Sequence, residues 1–331
     1  MKKMDKSVIR WGFIGCGEAV KLKTHPAFMA TPNAKVVAVM SRSLDKAKAY
    51  AKQKGIKYYY DDALELIENP DVDAVYIATP PSSHATYAIM AMKAGKPVYV
   101  EKPMAVTYEE CCRINRVSKE TGIPVYVAYY RRYLPYFQKV KELVQAKAIG
   151  QVCNVQIRFA QTPRAMDYQQ VNLPWRLRPA ISGGGYFYDL APHQLDMVQN
   201  ILGCILEAKG YCSNLSHMYE AEDTLSASFM FENGLVGSGS WCFVAHEAAE
   251  EDRIELIGDK GTICFSVFTY QPIALHDEHG RREIRIVNPE YVQQPLIQNV
   301  TNALLGIEDC TCTGESATIT NWVMDRILGK Y

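Results

Sequence analysis

Short, continuous apolar runs alternate with polar, helix-forming stretches between residues 7 and 128. The runs are VIRWGFIG, AKVVAVMS, DAVYIATP, KPVYVEKP and IPVYVAYY, and Gly55, Gly95 and Gly122 follow the helical stretches, where helix C-caps favour glycine. A continuous apolar run is typical of a parallel strand that is covered on both faces. This part of the chain therefore predicts five parallel strands with helices between them, which is a doubly wound Rossmann sheet.

A different pattern begins after residue 150. Stretches such as LSASFMFENGLVGSGSWCFVA and RIELIGDKGTICFSV place strand-like runs on both sides of turn sequences, ENG at 232–234 and GDKG at 258–261. Such pairs indicate antiparallel hairpins. We expect residues 1–128 to form an α/β dinucleotide-binding domain. Residues 129–331 should form an α+β domain with an open, mainly antiparallel sheet that binds substrate and supports oligomerisation.

The composition excludes several classes of function. Lysine plus arginine and aspartate plus glutamate each number 36, so a formal charge of zero gives no basic surface for nucleic acid. No apolar run approaches the roughly 18 residues of a membrane span, and glycines interrupt the first run, unlike a signal peptide. Ten scattered cysteines without a CxxC pair fit neither a zinc cluster nor a disulfide framework, and they predict a reducing compartment, the cytoplasm.

The segment Gly15-Cys16-Gly17-Glu18-Ala19 joins the first strand to the first helix. A tight turn here lets backbone N–H groups approach a pyrophosphate at the helix N-terminus. Val20 replaces the third glycine of the common fingerprint, so a glycine turn without a ligand is the alternative reading. The position between strand and helix favours a dinucleotide site.

The end of the second strand bears on the choice of nicotinamide cofactor. An NAD site usually has an acidic residue about 20 positions beyond the glycines, and residues 19–44 contain none. Ser41 and Arg42 instead offer a hydroxyl and a guanidinium, which suit a 2′-phosphate. We expect NADP(H) as the cofactor, with NAD as the alternative. Arg42 could also be a solvated surface residue that contacts no cofactor.

Two further motifs predict an active site. Lys102, in GKPVYVEKP, follows a strand at the carboxyl edge of the sheet, where open α/β sheets bind ligands. In GGGYFYDLAPHQLD, Asp189, His193 and Asp196 are spaced i, i+4 and i+7, which is one face of a helix. The preceding glycines allow close approach of a backbone or ring, and Pro192 either kinks this helix or marks its first turn. A metal site at these three residues is conceivable, but it lacks a further nitrogen or sulfur ligand, so we expect none.

On these motifs the chain resembles the family of glucose-fructose oxidoreductase, myo-inositol dehydrogenase and rhizopine-catabolism proteins. Its nearest branch is the NADP-dependent one with dihydrodiol dehydrogenases and anhydrofructose reductases. The motifs are Gly15-Cys16-Gly17, Thr79-Pro80-Pro81 with His84, Glu101-Lys102-Pro103, and Gly183-Gly184-Gly185 with Asp189 and His193. The resemblance implies that Lys102, Asp189 and His193 are catalytic and that the Lys102–Pro103 peptide is cis. It also adds Thr79, Pro80, Pro81, His84, Glu101 and Lys102 to the cofactor site, although His84 also suits a helix start.

The chemistry of a secondary alcohol agrees with these roles. Oxidation needs a base for the hydroxyl proton, and histidine titrates near neutral pH, so His193 is the natural acceptor. A charged Lys102 can hydrogen-bond the same oxygen and stabilise its developing charge. Asp189 could orient Lys102 or a substrate hydroxyl.

Substrate-side candidates follow the last Rossmann strand and precede the glycine triplet. They are Tyr130, Arg131, Trp175 and Arg176. Aromatic and guanidinium groups suit a sugar or polyol, although Trp175 could equally be a core residue.

Together these features predict an NAD(P)-dependent oxidoreductase that acts on a hydroxyl or carbonyl carbon of a sugar, cyclitol or diol. Two alternatives use the same fold: a non-catalytic sensor of dinucleotide and sugar, and an NAD-dependent glycosidase-type enzyme. The open sheet leaves a broad face to cover, so we expect a homodimer or homotetramer.

Overall fold

The computed structural model describes residues 6–169 and 173–331, so the basic start of the chain at residues 1–5 lies outside it. Contacts within the chain define two compact units. One extends to Tyr130 and includes Pro289–Thr318, and the other comprises Arg131–Asn288 and Ile319–Tyr331. The segment 289–318, which the prediction assigned to the second domain, therefore packs with the first unit.

The first unit contains a six-stranded parallel sheet, as predicted for a Rossmann fold. Its strands are β1 (Ile9–Ile14), β2 (Ala34–Met40), β3 (Tyr58–Tyr60), β4 (Ala74–Ile77), β5 (Val98–Val100) and β6 (Val125–Val127), in the order β3-β2-β1-β4-β5-β6. The helices are α1 (His25–Met29), which continues a π-helical turn at Val20–Thr24, α2 (Leu44–Lys54), α3 (Ala63–Glu68), α4 (His84–Lys93) and α5 (Tyr108–Thr121). The sequence reading missed β3, whose three tyrosines are exposed or half-buried and lack the buried apolar run that marks β5 and β6.

Strand burial and helix ends follow from the sequence. All four residues of β4 and all three of β5 and β6 are buried, as expected for parallel strands covered on both faces. Gly55 and Gly122 end α2 and α5 in the left-handed conformation. Ser43, Asp62 and Thr107 accept backbone N–H groups at the starts of α2, α3 and α5.

A late segment of the chain completes this unit. Helix α9 (Gln294–Leu305) contacts α1 and β1. Farther along, the backbone N–H of Val127 donates to the carbonyl of Cys312 at 2.8 Å. Tyr126 and Thr313 form an antiparallel bridge beside it. Residues 289–318 thus cover the β6 edge of the sheet.

The second unit contains an eight-stranded sheet. Its strands are β7 (Val152–Ala160), β8 (Ile205–Ser213), β9 (Thr224–Phe231), β10 (Val236–Cys242), β11 (Glu251–Gly258), β12 (Gly261–Phe265), β13 (Ile273–Asp277) and β14 (Gly280–Ile284), in the order β14-β13-β12-β11-β7-β10-β9-β8. Both predicted hairpins, β9–β10 and β11–β12, are antiparallel. The central pair β7 and β10 is parallel, so the sheet is mainly but not wholly antiparallel.

The helices of this part of the chain are α6 (Pro135–Gln145), α7 (Pro179–Ser182), α8 (Gly185–Leu202) and α10 (Gly314–Ile327), whose start belongs to the first unit. Helix α8 packs on one face of the sheet, where Phe187 meets Trp241 edge-on at 5.1 Å. The indole N–H of Trp241 donates to Gln194 at 2.7 Å. Strands β9 and β10 alternate buried and exposed residues, so the other face of these strands is open.

Within residues 6–169 and 173–331, no helix has both the length and the apolar character that crossing a bilayer requires.

Candidate active site

The turn after β1 requires glycine at its first position. Gly15 has a φ of +105°, and a Cβ there would lie 2.7 Å from the carbonyl oxygen of Ala78. Its backbone N–H donates to Met40 at 2.9 Å. A Cβ at Gly17 would meet nothing within 4 Å, and Gly17, Glu18 and Ala19 are exposed. The turn is therefore closed toward the sheet and open on the side where a pyrophosphate would approach a helix N-terminus.

The residues after β2 form a small polar group with the glycine turn. The thiol of Cys16 interacts with Ser41, and burial raises the pKa of the thiol while the hydrogen bond to Ser41 and the charges of Lys21 and Lys46 lower it. Arg42 is exposed. The predicted Ser41–Arg42 pair thus lies beside the glycine turn, with the guanidinium accessible.

The predicted cofactor residues after β4 are held by His84. Its Nε2 lies 2.8 Å from the carbonyl oxygen of Thr79, and its Nδ1 lies 3.0 Å from that of Pro103. The side chain is buried, and burial lowers the pKa of His84 to about 4, against the opposing effect of these carbonyls. Both ring nitrogens face the protein, so any contribution of His84 to cofactor binding acts through the two loops that it joins.

The same two loops are ordered by side-chain contacts. Ser83 donates to the hydroxyl of Thr79 at 2.7 Å and to the carbonyl of Pro80 at 3.0 Å as alternative acceptors. Pro81, the next residue of this predicted set, is buried at the start of a 3₁₀ turn. These contacts fix the backbone between β4 and α4.

Glu101 and Lys102 follow β5, as the sequence predicted. The hydroxyl of Tyr76 donates to Glu101 at 2.7 Å, and burial together with the carboxylate raises the pKa of Tyr76 well above its usual range. The backbone N–H of Lys102 lies 3.3 Å from the other carboxylate oxygen of Glu101. The Lys102–Pro103 peptide is cis. After burial, the positive charge of Lys102 is a further, smaller cause of the lowered pKa of His84.

In the second unit, the glycine triplet shapes the start of α8. Gly183 and Gly185 have φ values of +97° and +61°. A Cβ at Gly184 would lie 2.8 Å from the ring of Tyr188 and 2.9 Å from Leu328. The triplet thus permits the close ring contact that the sequence suggested. Pro192 lies inside the helix, which continues from Gly185 to Leu202.

Asp189 and His193 lie on α8, one helical turn apart. Asp189 accepts a hydrogen bond from Nε of Arg176 at 3.1 Å, and the Arg176 guanidinium stacks on Trp175 at 4.4 Å. Trp175, Arg176 and Asp189 are each partly exposed. Three predicted residues therefore form one group with accessible polar atoms.

His193 is 5% exposed, and its ring meets Phe268 edge-on at 5.9 Å. Arg131, a predicted substrate residue, is also buried: its Nε donates to the carbonyl of Val267 at 3.0 Å, and its guanidinium lies 4.8 Å over Phe268. Arg131 therefore supports the segment that contacts His193. Tyr130, next to it in the chain, is partly exposed.

The sequence reading missed this segment. The carboxylate of Asp252 accepts the backbone N–H groups of Val267, Phe268 and Thr269 at 2.6–3.1 Å. Three N–H donors on one carboxylate fix the loop and its aromatic ring beside His193. No local motif predicts this contact, because Asp252 and Phe268 are 16 residues apart and share no periodic pattern.

Asp196, the third acid-base residue of the predicted helix face, belongs to the interior. Arg132 donates to both of its carboxylate oxygens, from Nε at 2.9 Å and from a terminal nitrogen. Neither side chain is more than 8% exposed. In the described part of the chain no group of three or more His, Cys, Asp or Glu residues could hold a metal ion.

Comparisons with known proteins agree with this architecture. Residues 9–129 match the model of an oxidoreductase family with an NAD-binding Rossmann fold, and residues 137–264 match the GFO/IDH/MocA C-terminal domain. Oxidoreductase P35 of Formosa agariphila is 38% identical over 327 residues, which are 98% of this chain and 99% of that protein. The scyllo-inositol 2-dehydrogenase (NAD(+)) of Bacillus subtilis is 26% identical over 277 residues, 82% of this chain and 78% of its own.

Among solved structures, levoglucosan dehydrogenase in complex with NADH and levoglucosan has a TM-score of 0.87 at 23% identity. The match covers 97% of this chain and 96% of the other, and it supports the fold alone. The two family matches and the full-length relative show that this chain is a member of the Gfo/Idh/MocA family of oxidoreductases, whose members are NAD(P)-dependent dehydrogenases and reductases of sugar-like substrates.

Proposed function

We propose that this enzyme interconverts a hydroxyl and a carbonyl group on a sugar, cyclitol or diol, with NADP(H) as the cofactor and with Lys102, Asp189 and His193 as its catalytic residues. The observation that carries the proposal is that Asp189 pairs with Arg176 one helical turn from His193. In the other unit, the glycine turn is open and Lys102 follows a strand end. Scyllo-inositol, named for a similar protein, is a polyhydroxylated ring and supports this substrate class.

Each residue has a defined task in this proposal. The nicotinamide, when bound, exchanges hydride with the reacting carbon. His193 accepts the hydroxyl proton at its imidazole during oxidation and returns it during reduction. The Lys102 ammonium donates a hydrogen bond to the same oxygen and stabilises its negative charge. Asp189 and Arg176 orient a neighbouring substrate hydroxyl, and Tyr130 and Trp175 contact the carbon skeleton.

The catalytic assignment is tested by turnover. We expect steady absorbance change at 340 nm with NADP and a polyol, and loss of about 10²-fold or more in kcat for His193→Asn and Lys102→Met. Product formed without net change in cofactor would support the glycosidase-type alternative. Binding of dinucleotide and sugar with no turnover would support a sensor.

The preference for NADP(H) rests on the exposed Arg42 guanidinium beside Ser41 and on the absence of an acidic residue from 19 to 44. A guanidinium pairs well with a 2′-phosphate. The relatives named with NAD(+) and NADH represent the competing choice. Glycine-turn contacts to the pyrophosphate from Gly15 to Ala19 would serve either cofactor.

Titration by tryptophan fluorescence decides between the cofactors. We expect wild type to bind NADPH more tightly than NADH, and Arg42→Ala to weaken NADPH binding by about tenfold or more while leaving NADH nearly unchanged. Lys52→Ala, an exposed cation farther along α2, is the matched control. Equal or tighter NADH binding by wild type would overturn the preference.

We further propose a homodimer or homotetramer formed through the open face of the second sheet. On this face Tyr211 of β8 is 77% exposed and Val236 of β10 is 52% exposed. The serines of β9 pair with the serines of β10, Ser226 with Ser240 and Ser228 with Ser238. A flat face with large apolar side chains is suited to a second copy. Light scattering should give a molar mass for wild type that is two or four times the chain mass, and a smaller mass for Tyr211→Glu. A monomeric wild type would contradict the proposal.

The ten cysteines bear on where the enzyme works. All ten lie in the described part of the chain as thiols and not as disulfides, and Cys111 and Cys312 are deeply buried. We propose the cytoplasm, since a reducing compartment keeps such thiols free. Ten titratable thiols in protein denatured without reductant would support this proposal, and a substoichiometric number would contradict it.

A further inference from the structure

A buried polar cluster lies beside the glycine triplet, and the function proposed above does not use it. Its members are Tyr188 on α8, Asp325 on α10 and Lys330 beyond the end of α10. Tyr188 and Asp325 are completely buried, while the Lys330 side chain is 31% exposed. Burying an ionisable carboxylate is costly unless a cation and hydrogen bonds compensate it. The cluster therefore requires an explanation.

The end of α10 brings Lys330 to this position. Gly329 has a φ of +67°, and the backbone N–H of Lys330 donates to the carbonyl of Asp325 at 3.0 Å. The N–H of Gly329 donates to the carbonyl of Arg326. These bonds form a Schellman turn, which reverses the chain at the helix end. The partly exposed Lys330 side chain therefore reaches back to Asp325 on α10.

The Lys330 ammonium connects three groups. Its Nζ lies 3.0 Å from the Asp325 carboxylate and donates to the carbonyl of Gly183 at 2.8 Å. It also lies 3.1 Å from the hydroxyl of Tyr188, which itself donates to Asp325. All three hydrogen positions of a lysine ammonium thus have acceptors.

Gly183 and Tyr188 are at the two ends of the turn that begins α8. Gly184 between them has no room for a side chain because the Tyr188 ring and Leu328 fill that space. Asp189 follows Tyr188 directly, and His193 is one turn farther. A group that fixes Gly183 and Tyr188 therefore fixes the direction in which the two site residues project.

We propose that Lys330 is a positioning residue for the active site: with Asp325 as its counter-ion, it holds the Gly183 carbonyl and Tyr188 and thereby orients Asp189 and His193. The inference rests on the roles proposed for those two residues. The turn that Lys330 holds needs glycine for its own geometry, because Gly183 and Gly185 have positive φ and a Cβ at Gly184 would meet Tyr188 and Leu328.

The decisive variants separate charge balance from the hydrogen bond to Gly183. Lys330→Met removes the ammonium from Asp325 and the hydrogen-bond donor from the Gly183 carbonyl, so we expect a lower Tm and a kcat reduced by about tenfold or more. The Kd for NADPH should stay within about twofold, because the dinucleotide turn is remote in the chain and shares none of these contacts. Lys139→Met is the control, since its side chain is 30% exposed and its partner Glu142 is at the surface.

The double variant Lys330→Met/Asp325→Asn removes both charges. We expect it to recover most of the lost Tm but not kcat, because the Gly183 carbonyl still lacks its donor. Asp325→Asn alone keeps Lys330 on Gly183 and should retain most of kcat. A double variant that recovers both quantities, or Lys330→Met with wild-type kcat, would overturn the proposal.

Hydrogen exchange supplies a readout that does not depend on turnover. Amides of residues 183–190 should exchange faster in Lys330→Met and in the double variant than in wild type or Lys139→Met, and unchanged exchange would contradict the proposal. If His193→Asn keeps wild-type kcat, and amide exchange at residues 183–190 is faster in Lys330→Met, the proposed function fails and the anchoring by Lys330 stands. If His193→Asn is inactive and Lys330→Met is fully active, only the positioning role fails.

Discussion

The two units hold their site residues in different ways. In the first, the buried imidazole of His84 lies between backbone carbonyls of the loops after β4 and β5. In the second, α8 and its surroundings are held by ion pairs: Arg132 with Asp196, Arg176 with Asp189, and Lys330 with Asp325. Loops can be fixed through their own peptide groups, whereas the peptide groups of a helix are already used, so a helix must be fixed through side chains.

The largest effect should come from the buried pair in the second unit. Arg132→Met strands the Asp196 carboxylate in the interior and should lower the free energy of unfolding by about 3–5 kcal/mol in urea titrations. Arg281→Met, which removes an exposed partner of Glu283, should change it by less than about 1 kcal/mol. Similar losses of unfolding free energy for both variants would mean that the buried pair Arg132–Asp196 stabilises the fold no more than the exposed pair Arg281–Glu283 does.

The buried imidazoles of the first unit predict a dependence of stability on pH. The pKa values of His84 and His25 are lowered to about 4, chiefly by burial, from an ordinary 6.5. Between these values the unfolded chain binds protons that the folded chain excludes, so stability is greatest above pH 6.5 and falls as the pH drops toward 4. Each histidine should contribute about 3 kcal/mol to this fall.

Denaturation at several pH values checks this dependence. His84→Gln should make the slope between pH 6.5 and 4 shallower, whereas His276→Gln, which changes an exposed residue on β13, should preserve it. An unchanged slope in His84→Gln would show that burial of the His84 ring does not lower its pKa in the folded chain.

The smallest expected effect concerns the backbone of the first unit. Gly15→Ala combines a positive φ with a Cβ contact of 2.7 Å to Ala78, and it should cost about 1–3 kcal/mol of unfolding free energy. Gly17→Ala has open space and should change stability by less than about 1 kcal/mol. Equal costs would indicate that the turn is free to relax.

The same contrast explains what the sequence could predict. Continuous apolar strands and glycine punctuation are local properties, so the Rossmann sheet, the hairpins and the strand-end position of Lys102 followed directly. The contacts of Asp252 with Phe268, of Lys330 with Gly183 and of Arg132 with Asp196 join residues that are 16, 147 and 64 positions apart. Such pairs leave no periodic trace. Asp196 consequently shared a helix face with Asp189 and His193 in the prediction, although it faces a buried arginine.

The return of residues 289–318 to the first unit has a consequence for synthesis. The ribosome completes β6 long before it makes Cys312 and Thr313, which later pair with that strand. Throughout this interval the growing chain exposes an unprotected strand edge, which is a template for aggregation. A fragment ending at Tyr130 should therefore need chaperone assistance that the full chain no longer needs once residues 289–318 have been synthesised.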